Sequence, residues 1–419
     1  MSAGDRHGIS AALEKSRRTF PFRRAFGANG THIAAQPDGF VNSCHIGTLI
    51  YFRIFSTWRL IAAILVVIYH FTHNGPDGHQ VILARLERLM PMLDMFFMIS
   101  GILIFVHYRD KVVTAAGYWN YLFRRFTRLY PLHLAIVSFF AFLAFGVYFG
   151  WFAVRNVNPG DLYQLPAHLL LIHAWGGAKE LSLNYVSWSL SAEWFCYLLL
   201  PVIVLAWRRA GTKGLLIMLA AYVGFLEIMT WSGLMPFKSW MRADTWGAWR
   251  AFADFIAGAA IACAAAQSSW TLRSHLVPWA VLISAIIALQ LDAPPYLGML
   301  MIMAALYLAA VCERNAPEKA YWLDIFAPAA TVSFGIYLLH PVVEVITYNL
   351  LWPKVFAPLG MNFYVFMPVP VALSVLLAWC SFHWYERWAA RRLNDALTAA
   401  PSPLQGKVAR TFRIGAGNT

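Results

Sequence analysis

Residues 54–72 read IFSTWRLIAAILVVIYHFT, an apolar run interrupted only by Arg59 and, near its end, His70. Wound as a helix at 1.5 Å per residue, a run of that length covers roughly the 30 Å of a bilayer's hydrocarbon. Working outward, comparable runs lie at about 89–107, 130–150, 186–207, 214–232, 249–267, 276–291, 296–312, 329–350 and 362–383. The pattern predicts an all-α integral membrane protein, a bundle of about ten transmembrane helices. A shorter apolar piece at 165–175, LPAHLLLIHAW, is too short to cross and reads as re-entrant or interfacial.

Composition agrees. Of the 419 residues 60% are hydrophobic and 13% charged, with a mean hydropathy of +0.56. Soluble domains carry about 25% charged residues, so lipid must solvate much of this surface. Eighteen Trp and eighteen Tyr suit two interfacial belts. The net charge of +13 does not imply nucleic acid, because the basic residues sit in loops between apolar runs.

With ten crossings both termini share a side. That side carries 24 Lys and Arg against 8 on the other, which predicts both termini in the cytoplasm. Residues 1–50 read as a basic, partly disordered cytoplasmic tail, 51–392 as the membrane domain and 393–419 as a second cytoplasmic tail. Five widely spaced cysteines without a Cys-x-x-Cys predict neither a disulfide framework nor a cysteine metal site. His70 with His73, or His168 with His173, form no strong zinc motif, and no metal is expected.

Ionisable groups inside a bilayer are costly, and each needs a reason. Arg59 and His70 are eleven residues apart, so they share a helix face about 16 Å apart along its axis. Arg59 then occupies the cytoplasmic half and His70 the outer half. Alone, Arg59 also fits an arginine that snorkels to lipid phosphates. Asp94 opens the second span and is expected to meet His70 and orient it. Ser100 and Gly101 are small enough for close packing or the passage of a thin chain. Arg124, Arg125 and Arg128 form a compact cationic group at a helix entrance, suited to phosphates or to topology marking. Glu193 lies among Ser189, Ser191, Trp188 and Trp194. Ser333, Tyr337 and His340 fall on one stripe, with Pro341 expected to kink the helix.

Five segments together resemble the acyltransferase-3 family of bacterial membrane O-acyltransferases. They are Arg59 to His70, Asp94 to Gly101 (DMFFMISG), Arg124 to Pro131 (RRFTRLYP), Ser187 to Trp194 (SWSLSAEW) and Ser333 to Pro341 (SFGIYLLHP). Each is weakly specific alone; all five in order are highly specific. The resemblance covers about residues 50–392. One departure is Glu386, followed by Arg387 and Trp388 where the family has a proline two residues on. Many relatives carry a fused extracytoplasmic domain; none follows here, so this chain is expected to complete the transfer itself or hand the acyl group on.

The resemblance implies an acyl-CoA donor, usually acetyl-CoA, a carbohydrate or glycolipid acceptor, and residence in the bacterial inner membrane beside polysaccharide-synthesis machinery. On it, Arg124, Arg125, Arg128 and Arg59 hold the CoA phosphates, and the pantetheine arm passes Ser100 and Gly101. His70 is general base or transient acyl carrier, oriented by Asp94 or Glu193, and Ser333, Tyr337 and His340 line the acceptor side. Two other readings remain open: a transporter or flippase of a glycan or acyl compound, and a scaffold in which the charges are structural.

Overall fold

The computed structural model describes residues 52–155, 157–242 and 244–399. These residues form helices and turns, and no strand occurs among them. The expected N-terminal tail and the end of the C-terminal one lie outside the described residues.

Helix α1 (Arg53–Thr72) is the opening apolar run. No side chain of its own caps it; Glu313, buried on a distant helix, accepts a 2.9 Å hydrogen bond from the Ile54 amide instead. A carboxylate there satisfies one orphan donor and complements the helix dipole. A short helix α2 (His79–Glu87) leads into α3 (Met92–Tyr108). Helix α4 (Ala115–Tyr148) begins about fifteen residues before the expected 130, with Thr114 accepting from the Gly117 amide as its cap. Its 34 residues extend ~51 Å, so the arginine-bearing end projects beyond a 30 Å hydrocarbon layer. The 165–175 piece does not cross: it forms one short helix, α5 (Leu165–Leu169), then turns at Leu171 with φ 58°.

The two spans expected at 186–207 and 214–232 form one helical stretch, α6 (Trp188–Trp231), broken at Ala210 and Gly211. Gly211 has φ 59°, a conformation glycine adopts without strain. An unbroken helix of 44 residues would run ~66 Å, more than two bilayer cores, so the break divides it into arms at 188–209 and 212–231. Helices α7 (Gly247–Gln267), α8 (Leu276–Gln290) and α9 (Pro295–Asn315) follow. Helix α10 (Ser333–Ile346) continues through Pro341 and passes into a π-helical stretch at Thr347–Phe356. The described residues end in α11 (Pro368–Cys380), a π-helical turn at Ser381–Glu386 and α12 (Arg387–Ala399), which carries helix past 392.

Among the described residues eight helical segments are long and apolar enough to cross a membrane, and α8 is a shorter apolar helix. The chain is therefore a multi-pass helical membrane protein. Reaching ten crossings requires both arms of α6, and α8, to cross. Exposed Phe142, Phe145, Ile217 and Leu300 present apolar side chains to lipid. Helix α7 is the hub, packed against α3, α6 and α9. It reaches α3 through glycine: a Cβ on Gly258 would stand 2.1 Å from the Met98 carbonyl oxygen, and one on Gly101 2.4 Å from that of Phe255. Small residues are how membrane helices bring backbones together. On the other side, α10 packs between α1 and α11.

Candidate active site

Three groups of polar residues follow one another along α1 and α10. At the Arg59 end, Arg124 and Arg128 are exposed. Arg125 turns inward, donating to Tyr108 Oη at 2.6 Å with its guanidinium 4.8 Å from that ring's centre. Arg128 lies within charge range of Arg59 and of Glu386. The three arginines thus divide into two that face outward and one locked to a tyrosine.

Deeper lies a partly open cavity, lined by Arg59, Phe96, Ser100, Ser189, Glu193 and Tyr337 among others. Glu193 is held by Ser100 Oγ at 3.0 Å and Tyr197 Oη at 2.5 Å. Arg59 lies 5.9 Å from the Phe96 ring centre, its buried Nε without a hydrogen-bond partner. A guanidinium lining a cavity with an unspent donor is a receiver for an anionic group. Ser100 faces this cavity, but Gly101 does not. Its missing side chain is what lets α3 meet α7, so the expected passage beside Gly101 is corrected to a helix contact.

Beyond Tyr337 the histidines gather. His70 stacks against His340 with ring centres 5.2 Å apart, and Tyr185 lies beside both, 4.8 Å from His70 and 6.3 Å from His340. His340 is fully buried, its Nδ1 2.7 Å from the Tyr337 carbonyl. A carbonyl only accepts, so Nδ1 carries the proton and Nε2, buried and unpartnered, keeps its lone pair. Glu344, one turn on, accepts from Asn74 Nδ2 at 2.8 Å and Tyr185 Oη at 2.5 Å.

Asp94 is not in this group. It pairs with Arg250 at 2.6 Å, the two being 1% and 5% exposed, with Asp254 beside them. The expected Asp94–His70 contact is replaced by this pair because α7 brings an arginine into the core at the level of α3's first turn. Arg250, one of the eight Lys and Arg counted above on the outer side, is a buried helix residue. Two opposite charges in adjacent apolar helices each need a partner, a signal that could have linked them. Ser333 is buried at the start of α10 and is not among the cavity-lining residues, whereas Tyr337 and His340, on the same stripe, reach the cavity and His70 respectively.

A second histidine group joins His133, which the sequence did not single out, to the pair His168 and His173. His133, His168 and His173 stack, His168 and His173 with centres 3.9 Å apart. Ser187 Oγ, which donates to the Asn184 carbonyl at 2.7 Å, lies 3.1 Å from His173 Nε2. Burial, and after it the neighbouring His173, push His168 down to about 2; burial, then His133, push His173 down to about 3. Both therefore stay neutral. Among the described residues no group of three or more His, Cys, Asp or Glu is placed to hold a metal ion. The stack fastens the 165–175 turn to the residues just before α6, and so sets Tyr185.

Fold and site together define a multi-pass membrane protein with a cationic entrance, a polar cavity and a histidine pair in series. The sequence profile of the acyltransferase-3 family, described as an acyltransferase domain, matches residues 54–382, and the chain belongs to that family. Among curated relatives, the acyltransferase MdmB of Streptomyces mycarofaciens is 29% identical over 162 residues, 37% of this chain and 38% of that protein. Nodulation protein 10 of Rhizobium leguminosarum bv. viciae is 23% identical over 323 residues, 69% of this chain and 82% of that protein. No solved structure matches.

Proposed function

We propose that this acyltransferase is an O-acyltransferase of the bacterial inner membrane. It moves an acyl group, acetyl as the first case, from cytoplasmic acyl-CoA to a hydroxyl of an extracytoplasmic or lipid-linked carbohydrate. The reading is carried by one observation: Arg59, which lines the cavity and has a buried Nε without a partner, and His70, paired with His340, lie on one face of α1 about 16 Å apart. A donor with a charged head and an extended thioester arm fits that separation. Exposed Arg124 and Arg128, with Arg125 behind them, receive the phosphates, and Arg59 the anionic groups nearest the arm. The arm passes Ser100, Glu193 and Tyr337.

At the far end His70 takes the proton of the acceptor hydroxyl as its oxygen attacks the thioester carbonyl. The C–S bond breaks, the ester forms, and the proton leaves with the CoA thiol. His340 presents its Nε2 lone pair beside His70 and serves the same proton. Were the acyl group to rest on His70 first, the bonds formed and broken would balance equally. Arg59 is too distant to stabilise the oxyanion at His70, which separates donor holding from chemistry.

The test is consumption of radiolabelled acetyl-CoA by purified protein in proteoliposomes. Wild type should consume it, His70→Ala should stop turnover yet still bind CoA, and Arg128→Ala should weaken that binding. If no variant binds or consumes acetyl-CoA or a longer acyl-CoA, a transporter of glycans becomes the better reading.

A further inference from the structure

The outer histidine pair is flanked by a polar arrangement that the donor side does not use. Glu344 on α10 is gripped from two sides, by Asn74 just past the end of α1 and by Tyr185 in the turn before α6. Each carboxylate oxygen receives one donor, and a carboxylate offers about four lone-pair sites, so two stay open. Through Tyr185 it adjoins the rings around His70, with His70 4.8 Å from Tyr185 and 5.0 Å from Tyr69. The group opens outward: His73 is exposed and Asn74 half-buried, while His340 behind them is fully buried.

We infer that Glu344, held by Tyr185 and Asn74, is the acceptor-binding subsite, taking two neighbouring hydroxyls of a sugar ring so that the next hydroxyl of the ring lies against His70. The inference rests on the acyltransferase reading above. Its chemistry is that of a polyol site: a carboxylate with free lone pairs accepts two O–H donors at once, and aromatic faces cover the ring's apolar C–H surface. A carboxylate kept only to tie three segments together would be a costly choice at this depth, since a neutral amide ties them equally well.

That equivalence supplies the test. In Glu344→Gln the side-chain oxygen still accepts from Asn74, and the new N–H₂ donates to Tyr185 Oη, so the three-way tie survives while the acceptor lone pairs are halved. The experiment measures acetyl transfer from acetyl-CoA to methyl hexopyranosides and their monodeoxy analogues, alongside CoA affinity and thermal unfolding. Glu344→Gln is expected to keep CoA affinity and unfolding temperature while raising the acceptor KM at least tenfold, with a smaller fall in kcat. Wild type should discriminate against analogues that lack one of two adjacent hydroxyls, and the variant should lose that discrimination. An unchanged acceptor KM in Glu344→Gln overturns the inference alone, as does loss of CoA affinity in proportion to activity, which would mark a purely structural tie. Wild type that binds acetyl-CoA and releases CoA to water but acylates no hexopyranoside overturns the sugar-diol assignment. Wild type that does not bind acetyl-CoA removes the reading beneath it.

Discussion

His70 and His340 differ in what holds them. His340 is pinned through Nδ1 to its own helix's carbonyl, whereas His70 is confined by rings: His340, Tyr185, Tyr69 and His73. A ring whose nitrogens are not tied to a carbonyl is the better proton shuttle, and the one pinned through Nδ1 the better anchor. His70→Ala should therefore lower turnover by about 10²–10⁴, the usual range for a general base, and His340→Gln by less; a rapid assay of CoA release compares them. Asp94 and Arg250 carry a different expectation. Removing one member of a buried pair leaves an uncompensated charge, at about 3–5 kcal/mol. Asp94→Ala should thus destabilise the fold in detergent, and the double variant Asp94→Leu/Arg250→Met should recover much of the loss. If Asp94→Ala instead leaves stability intact and shifts the pH profile of turnover, Asp94 acts on His70 after all. His70, His340 and Asp94 were legible in sequence because a polar group stands out in an apolar span, whereas Arg250 was counted only toward the outer-side charge. Their partners were not legible, since Asp94 and Arg250 are 156 positions apart and only helix packing decides the pairing.

Helix positions were legible because lipid demands long apolar runs, and most boundaries follow from them. Lengths were less so. The start of α4 lies in a polar stretch that hydropathy ignores, and the break in α6 depends on one glycine's backbone. The α3–α7 contact is testable at Gly258, whose Cβ would meet the Met98 carbonyl, a backbone atom that cannot swing aside. Gly258→Val should destabilise by about 1–3 kcal/mol, the range for overpacking, and lower the unfolding temperature. The His168–His173 turn gives a pH expectation. Both groups titrate in the folded protein at about 2 to 3, below their ordinary value of 6.5. Below pH 6.5 the unfolded chain binds more protons than the folded one, so stability falls as pH drops from 6.5 toward 3 and is level above 6.5. The slope is about 1.4 kcal/mol per pH unit for each group. Unfolding temperature at pH 7.5 and pH 5 should differ for wild type and differ less for His168→Gln/His173→Gln. An equal drop in both would remove the stack as the cause.

At the scale of the molecule, the proposed function divides one reaction between the arginine end and the histidine end, on two faces of the membrane. Neither the highly charged donor nor a glycan then has to cross; only the acyl group moves, through a cavity lined by Ser100, Glu193 and Tyr337. With ten crossings, the excess of Lys and Arg predicts that the arginine end faces the cytoplasm. The two ends should therefore fail separately. Neutralising Arg124 and Arg128 should raise the donor KM, and raise it less at high salt, where exposed charges are already screened, while the acceptor KM stays put. Sealed proteoliposomes sorted by orientation make the stronger case. Acetyl-CoA, multiply charged, stays on the side where it is placed, and a methyl hexopyranoside can be supplied on the other. Acetylated sugar should accumulate when the donor faces the arginine end and the acceptor the histidine end. With the positions reversed none should form beyond the level given by His70→Ala. Product that instead requires donor and acceptor on the same side would place the two sites on one face, and the cavity would then be a donor pocket rather than a crossing.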